Sequence, residues 1–275
     1  MTVALPTISA AGIEAVGIPT ALLSNHTAFP SWTFTDLSSD ILKVVRKWDE
    51  KDRVFDAVYT GYLTTSQVMD VIEVFRLCKA SKLRFVDPAF ADHGKLYAGF
   101  EESHIEAMRS LIREADIIKP NVTEACFLTG HPMIHGLDSE QTFLELAKTL
   151  AEYGPSVVII SGAHIHEGKQ GCYLYKKEKQ RGQLLEFESL PGLYHGTGDL
   201  FASALISAIV RGAYYEDAIL LAHNLVADSI QRNLDSGVDG LRYGPEFENE
   251  LKHFAESLQE TLIEYEKGDC GFVCP

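Results

Sequence analysis

The chain has 275 residues, of which 46% are hydrophobic, and its formal net charge is −15 at pH 7. This suits one large α/β domain or two small ones, and we predict a single domain spanning residues 1–275. Binding to nucleic acid or to an anionic membrane needs a basic face. The sequence contains no basic run, so we expect neither partner. An anionic ligand would need positive potential supplied locally, by backbone N–H groups, lysines or a divalent cation.

The cysteines and the chain ends bear on the compartment. The five cysteines are an odd number and the first three lie far apart, which is typical of free thiols in a reducing compartment. No segment approaches the roughly 20 apolar residues that span a bilayer, and residues 1–6 lack a basic segment before an apolar core. We therefore expect a cytoplasmic protein. Cys270 and Cys274 fall in a C-terminal tail, residues 268–275, that we expect to be flexible.

Strand-like and helix-like runs alternate in the first half of the chain. Short apolar runs predict strands, and apolar residues at helical spacing predict helices. Between residues 29 and 48 the pattern is weak and indicates a lid or an edge segment. The predicted strands are residues 19–23, 54–59, 83–86 and 116–118, and the predicted helices are residues 64–80 and 102–115.

The second half continues this alternation. Ser139 is a residue type that favours the N-cap of a helix. Strands alternating with helices predict a mostly parallel sheet with helices on both faces, whose ligands bind at the carboxyl ends of the strands. The remaining predicted elements are a helix at 139–153, a strand at 156–160, a hairpin of 171–175 with 184–190, and helices at 200–210, 216–233 and 246–266.

The most informative motif is the loop before the helix at 200–210, with the sequence His-Gly-Thr-Gly-Asp. Gly196 and Gly198 flank Thr197, so backbone N–H groups can turn inward without obstruction by a Cβ. The helix start adds unpaired N–H donors and a positive dipole end, which favours an anion. Asp199 lies beside this anion cradle, where it could act as the base that takes a proton from a hydroxyl attacking a phosphate. The loop predicts a small-molecule kinase; the alternative is a tight turn with an early-helix acid.

Acidic groups follow two of the predicted strands. Asp87 and Asp92 come after the strand at 83–86, and paired carboxylates there can hold Mg²⁺, often through water. Two solvated acids in a turn are the alternative. After the strand at 116–118, Asn121 and Glu124 have the spacing of a capping box. A glutamate at that position also points toward the strand ends, so capping and metal binding are compatible interpretations.

The residues that end the first two predicted strands are polar or aromatic. Ser24-Asn25-His26-Thr27 and Thr60-Gly61-Tyr62 combine hydroxyls, an imidazole and a phenol. These groups suit a small polar aromatic ligand better than a phosphate.

Taken together, these motifs resemble the pyridoxal/pyridoxamine kinase branch of the ribokinase-like superfamily, most closely its bacterial pyridoxamine kinase type. The resemblance covers nearly the whole chain. It implies a central, mostly parallel sheet between helices, usually in a homodimer. It also implies ATP-dependent phosphorylation of the 5′-hydroxymethyl group of pyridoxal, pyridoxamine or pyridoxine, which would supply pyridoxal 5′-phosphate salvage. The segments that carry it are residues 23–27, 59–62, 86–97, 120–125 and 196–199.

The resemblance also implies a role for each matching residue. Asp199 would be the base for the substrate hydroxyl, and Gly196, Thr197 and Gly198 would form the anion hole for the transferred phosphoryl group. Thr27 and Tyr62 would line the pyridine pocket, and Ser161 would lie near the nucleotide. The residues implied to arrange Mg²⁺ and the ATP phosphates are Asp87, Asp92, Asn121 and Glu124, with Asp87 and Glu124 reaching the metal through water.

The start of the chain departs from the family pattern. The family begins with a strand and a short loop that contacts the vitamin, followed by a helix, whereas residues 1–12 already look like that helix. The opening strand is therefore expected to be missing. We expect a natural protein with on the order of 15–20 further residues before Met1, enough for a typical strand and its loop.

Three other functions remain open. A hydroxymethylpyrimidine kinase belongs to the same superfamily, although that branch often has cysteine where Asp199 stands. A sugar kinase usually has Gly-Ala-Gly-Asp in the loop and different substrate strands. A catalytically silent ligand-binding homologue fits a missing first strand, but the intact glycine loop and Asp199 argue against it.

Overall fold

The computed structural model describes residues 1–25, 29, 31–51, 53–78, 81–189, 192, 194–238 and 243–267. These residues form two compact units. The larger unit is Ile18–Ser189, and the smaller comprises Met1–Gly17 and the described residues after Ser189. No helix in these ranges has the length and apolar character needed to cross a bilayer. The predicted tail at 268–275 lies outside the described residues.

The strands of the described chain all belong to the larger unit. They are β1 Ala21–Leu23, β2 Phe34–Asp36, β3 Ala57–Thr60, β4 Leu83–Val86, β5 Ala91–Asp92, β6 Lys95–Leu96, β7 Ile117–Ile118, β8 Val157–Ala163, β9 Lys169–Lys176 and β10 Arg181–Glu188. The helices of this unit are α2 Ser38–Asp49, α3 Gln67–Leu77, α4 Glu102–Ile112, α5 Val122–Thr129 and α6 Glu140–Tyr153. Those of the smaller unit are α1 Ala4–Ala10, α7 Thr197–Arg211, α8 Tyr215–Ser236 and α9 Leu251–Lys267.

Six strands form one sheet in the order β10-β9-β8-β7-β4-β3. β3, β4, β7 and β8 are mutually parallel, and β9 and β10 extend the sheet as an antiparallel hairpin. The predicted mostly parallel sheet is thus confirmed. Its central strands are apolar because helices of the same unit cover them, and Val86, Ile118, Val158 and Ile160 are all fully buried.

The predicted first strand is not part of this sheet. Residues 21–23 form β1, which pairs only with β2 in a separate antiparallel ribbon. Leu22 is 65% exposed and Phe34 on β2 is 46% exposed, so neither strand has the buried face that a central strand needs. The apolar run therefore predicted correctly that a strand forms here. The prediction that this strand belongs to the central sheet was wrong.

Helix α2 was not predicted, although most of it lies within residues 29–48. Its buried residues, Ile41 and Val45, pack near Val74 of α3, and Leu42 and Trp48 lie against them. These apolar residues recur at helical spacing, so the signal for this helix was present in the sequence. By contrast, Ser139 caps α6 as predicted: the backbone N–H of Thr142 donates to its hydroxyl at 3.2 Å.

In the smaller unit, α7 is the central helix. Its buried residues include Ala202, Ala204 and Ala208, whose small side chains allow α8 to pack closely on it. α1 also packs on α7, and the guanidinium of Arg211 donates to the carbonyl of Ala11. The three helices predicted after residue 196 are confirmed, although α7 begins three residues earlier than predicted, at Thr197.

Candidate functional site

The parallel register of the sheet brings two charged residues together. Val86 of β4 pairs with Ile118 of β7, so the two strands end level with each other. The next residues, Asp87 and Lys119, therefore lie side by side. Their backbones continue the ladder briefly, since the N–H of Lys119 donates to Val86 at 3.0 Å and that of Asp87 to Thr60 at 2.9 Å.

Asp87 and Lys119 form a buried ion pair. Nζ of Lys119 lies 3.3 Å from Oδ1 of Asp87, and the two side chains are only 5% and 4% exposed. Asp87 was predicted from the sequence as a site residue, whereas Lys119 was not. The available signal was a lysine placed directly after a buried apolar strand and directly before Pro120-Asn121, where its stem has no route to solvent.

Glu124 ties the start of α5 to the loop after β4. It forms the predicted capping box with Asn121: each backbone N–H donates to the other's side chain at 2.9 Å. The other carboxylate oxygen of Glu124 accepts from the backbone N–H of Phe90 at 2.9 Å and of Ala91 at 3.4 Å. Asn121 also donates from Nδ2 to the carbonyl of Ala91 at 2.8 Å. Capping is thus confirmed, and the same glutamate fixes a second loop.

Burial and neighbouring charges shift the titration of this cluster. Burial raises the pKa of Glu124 and the negative charge of Asp87 adds to the rise, whereas Lys119 and the backbone donors oppose it. Both oxygens of Glu124 accept backbone N–H groups, as those of a carboxylate do. Burial alone would lower the pKa of Lys119. The carboxylates of Asp87 and Glu124 outweigh burial, so its pKa lies above the ordinary value. Lys119 is therefore an ammonium at neutral pH.

The other predicted nucleotide residues lie around this cluster. Asn121 pairs with Ser161 of β8 in a parallel bridge, and the N–H of Ser161 donates to Pro120 at 2.9 Å. Asp92 ends the two-residue strand β5 and is exposed at the turn toward β6. Its carboxylate accepts from the N–H of His93 at 2.8 Å. The structure thus gathers Asp87, Asn121 and Glu124 with Lys119, and leaves Asp92 on a hairpin beside them.

Direct coordination of Mg²⁺ does not fit Asp87 and Glu124 as they stand. Mg²⁺ demands near-octahedral oxygen ligands at about 2.0–2.1 Å. Asp87 and Glu124 are 3% and 1% exposed, and their oxygens already face an ammonium and backbone N–H groups. Contact through water remains a prediction.

A different cluster in the smaller unit has metal-like spacing. Possible ligand atoms of Asp228, Glu250 and His253 all lie within 4.8 Å of one another. Glu250 already accepts from Nε of Arg232 at 2.6 Å, and Nδ1 of His253 lies 3.5 Å from a carboxylate oxygen of Asp228. None of the predicted site residues belongs to this cluster, and we assign no metal to it.

Tyr62 heads a stack of aromatic rings. It is 40% exposed and stacks on Phe100 with ring centroids 5.5 Å apart. Phe100 in turn stacks on buried His104 at 3.9 Å, nearly parallel. Nδ1 of His104 lies 2.9 Å from the hydroxyl of Thr65, and burial lowers the pKa of this histidine to about 4, so the ring is neutral.

The aromatic stack adds two residues that sequence analysis did not single out, Phe100 and His104. They are separated from Tyr62 by the whole β4 to β6 region, and only tertiary structure brings the rings together. The other predicted pocket residue, Thr27, and its neighbour His26 lie outside the described residues.

The glycine loop predicted to bind an anion forms the start of α7 in the smaller unit. Gly196 is the N-cap of α7 and has φ of +89°, a conformation that L side chains rarely adopt. A Cβ added at Gly196 or Gly198 would meet nothing within 4 Å among the described residues, so the space before the helix is open. Thr197 donates from its hydroxyl to Tyr194 at 3.1 Å. Asp199, in the first turn, is exposed.

We expect Glu124→Gln to destabilise the fold, because the amide nitrogen would face backbone N–H groups instead of accepting from them. Leaving a buried donor unsatisfied costs about 1–3 kcal/mol. Urea unfolding should show this loss in the free energy of unfolding. Glu140→Gln is the matched control, since Glu140 also lies in the first turn of a helix but is exposed. Equal effects of the two substitutions would contradict the structural role of Glu124.

Comparison with known proteins places the chain in a family. A sequence profile of the phosphomethylpyrimidine kinase family matches residues 2–243. The pyridoxal kinase of Sus scrofa is 28% identical over 261 residues, covering 85% of this chain and 79% of that protein. Pyridoxal kinase PdxY of Granulibacter bethesdensis is 24% identical, with 82% of each protein covered.

Solved structures agree with the sequence match. A candidate phosphomethylpyrimidine kinase from Bacteroides thetaiotaomicron, crystallised with pyridoxal, has a TM-score of 0.86 at 30% identity, covering 93% of this chain and 90% of that one. Pyridoxal kinase from Lactobacillus plantarum has a TM-score of 0.84 at 26% identity, with 95% and 91% covered. The chain therefore belongs to the phosphomethylpyrimidine kinase family and is a kinase with the ribokinase-like fold of the pyridoxal kinases.

Proposed function

We propose that the chain transfers a phosphoryl group from ATP to the 5′-hydroxymethyl group of a B6 vitamer. The observation that carries this proposal is the start of α7, where a left-handed glycine opens the cradle and an exposed carboxylate follows within one turn. Relatives named as pyridoxal kinases support the substrate class. The activity would supply pyridoxal 5′-phosphate by salvage.

In this proposal the glycine loop binds the transferred phosphoryl group and Asp199 takes the proton of the substrate hydroxyl. The first N–H groups of a helix have no intrahelical acceptor, so those near Gly196, Thr197 and Gly198 are suited to the charge of the transferred phosphoryl group. Asp199 accepts the proton of the vitamer hydroxyl as that oxygen attacks. The catalytic gain comes from placing fixed donors where negative charge develops.

The nucleotide is assigned to the carboxyl ends of the parallel strands, where ligands of open α/β sheets bind. Asn121, Ser161 and Asp92 are the proposed contacts, with Thr197 on the phosphate side. Support comes from the bridge of Asn121, which follows β7, with Ser161 of β8, and from the hydrogen bond of Asn121 to Ala91, the neighbour of Asp92. Mg²⁺ is proposed to arrive with the ATP phosphates.

The vitamer is assigned to the exposed face of Tyr62, with Thr27 nearby. A phenol ring backed by Phe100 and His104 offers a flat, preorganised surface to a pyridine ring. Burial raises the pKa of Tyr62, so its hydroxyl keeps its proton and can donate as well as accept.

We further propose that the chain acts as one kinase domain over residues 1–275, as a homodimer, in the cytoplasm. The family resemblance supports the dimer. The free thiols of Cys78, Cys126 and Cys172 are consistent with a reducing compartment.

A hydroxymethylpyrimidine kinase is the second candidate, because the matching family profile carries the phosphomethylpyrimidine name. ATP consumption measured with pyridoxal, pyridoxamine, pyridoxine and hydroxymethylpyrimidine separates the two. We expect turnover with at least one B6 vitamer at a higher kcat/KM than with the pyrimidine. The reverse order would favour the second candidate, and no turnover with any of the four would favour a silent homologue.

We expect Asp199→Asn to reduce turnover by about 100- to 10,000-fold, the usual contribution of general-base catalysis, because an amide cannot take the proton. ATP affinity, measured by calorimetry, should change little. Asp235→Asn is the control, since Asp235 is an exposed acid on α8. Near-native turnover of Asp199→Asn would refute its assignment as the base.

The segment from residues 28 to 32 is proposed to close over the vitamer and exclude water, which protects ATP from hydrolysis. Trp32 is 41% exposed, whereas Trp48 packs on Phe55 at 5.3 Å. In a Trp48→Phe background, the fluorescence of Trp32 should therefore shift when pyridoxal binds. An unchanged spectrum at a vitamer concentration shown to saturate by calorimetry would contradict closure.

A further inference from the structure

The feature that stands out at the strand ends is a cation already present among the acidic groups. Lys119 follows β7, and its ammonium lies 3.3 Å from Asp87 in a site where both side chains are about 95% buried. Lys119 also feels the charge of Glu124. Of the residues expected to arrange a metal ion, Asp87 therefore already contacts a lysine.

The surrounding bonds fix the positions of Glu124, Asp87 and Lys119. Both oxygens of Glu124 accept backbone N–H groups, from Asn121 on one side and Phe90 on the other. The register of β4 and β7 fixes the backbones of Asp87 and Lys119 next to each other. A divalent ion entering between the carboxylates would have to displace the ammonium, leaving a buried, unpaired lysine, which is costly.

We propose that Lys119 is the resident cation of the Asp87–Glu124 pair, so that these carboxylates hold no Mg²⁺ of their own. Lys119 is then a positioning residue: its charge holds Asp87 and the loop toward Phe90 at the edge of the sheet. Mg²⁺ enters the proposed kinase site only with the nucleotide. That Mg²⁺ is the relevant metal rests on the proposed function. The position of Lys119 does not depend on it.

The proposal is tested on the full chain without nucleotide, by thermal unfolding in EDTA and in about 10 mM MgCl₂ at matched ionic strength. The wild type should show no Mg²⁺-dependent shift in Tm. Lys119→Met leaves the carboxylates without their cation, so Mg²⁺ should now bind and raise Tm by roughly 2–4 °C, as expected for millimolar affinity. The readout does not involve kinase activity, so failure of the proposed function would not alter it.

Lys177→Met is the matched control. Lys177 also follows a strand, β9, but its Nζ donates to the carbonyl of Ala151 at 2.7 Å, so its loss should create no response to Mg²⁺. A folded Lys119→Met protein whose Tm ignores Mg²⁺ would overturn the proposal.

If Lys119→Met folds in neither buffer, the same Tm measurements on the wild type and on Asp87→Asn test the proposal. An Mg²⁺-dependent rise in the Tm of the wild type that Asp87→Asn abolishes would show that the carboxylates hold the metal themselves. Absence of that rise in the wild type supports the resident lysine.

Discussion

The carboxylate of Glu124 is the contact on which the strand-end site depends. Backbone pairing aligns β4 and β7 and extends one residue further, to Asp87 and Lys119. The chain after Asp87 lies beyond this pairing. Glu124 supplies the missing acceptors, because its two oxygens bind N–H groups on both sides, at Asn121 and at Phe90. Asn121 adds a bond to Ala91. One helix start therefore also fixes the path of the chain from Asp87 to the β5–β6 hairpin.

This arrangement places charge in the core, and the charges stabilise one another. A buried carboxylate or ammonium alone is strongly disfavoured. Asp87 and Lys119 compensate each other at 3.3 Å, and backbone donors compensate Glu124. Removing either charged partner leaves the other uncompensated, so the loops on the two strands are energetically coupled. Such coupling gives this edge of the sheet a single, rigid arrangement, which a site for an oriented phosphate chain requires.

The sequence predicted interactions between residues close together in the chain better than interactions between distant residues. The capping box of Asn121 and Glu124 spans three residues and was predicted correctly, because its pattern is local. The sheet class followed from alternating strands and helices. The ion pair of Lys119 was missed, because it depends on which strands are neighbours and on their register. The assignment of residues 19–23 failed for the same reason: an apolar run predicts a strand, but only packing decides which sheet it joins.

The proposed site also indicates which kinds of group could select the substrate. In the proposed site, the glycine loop and Asp199 act on the hydroxymethyl group and the transferred phosphoryl group, and neither contacts the substrate ring. The proposed ring-binding face of Tyr62 would accept either ring, since pyridine and pyrimidine are both flat and aromatic. Discrimination must come from groups that hydrogen-bond ring nitrogens and substituents, where an unmatched buried polar group can cost a factor of about 10⁴. Because burial keeps His104 neutral, the stack behind Tyr62 supplies no positive charge to the proposed vitamer site, and that proposal assigns selectivity to polar groups around the edge of the substrate ring.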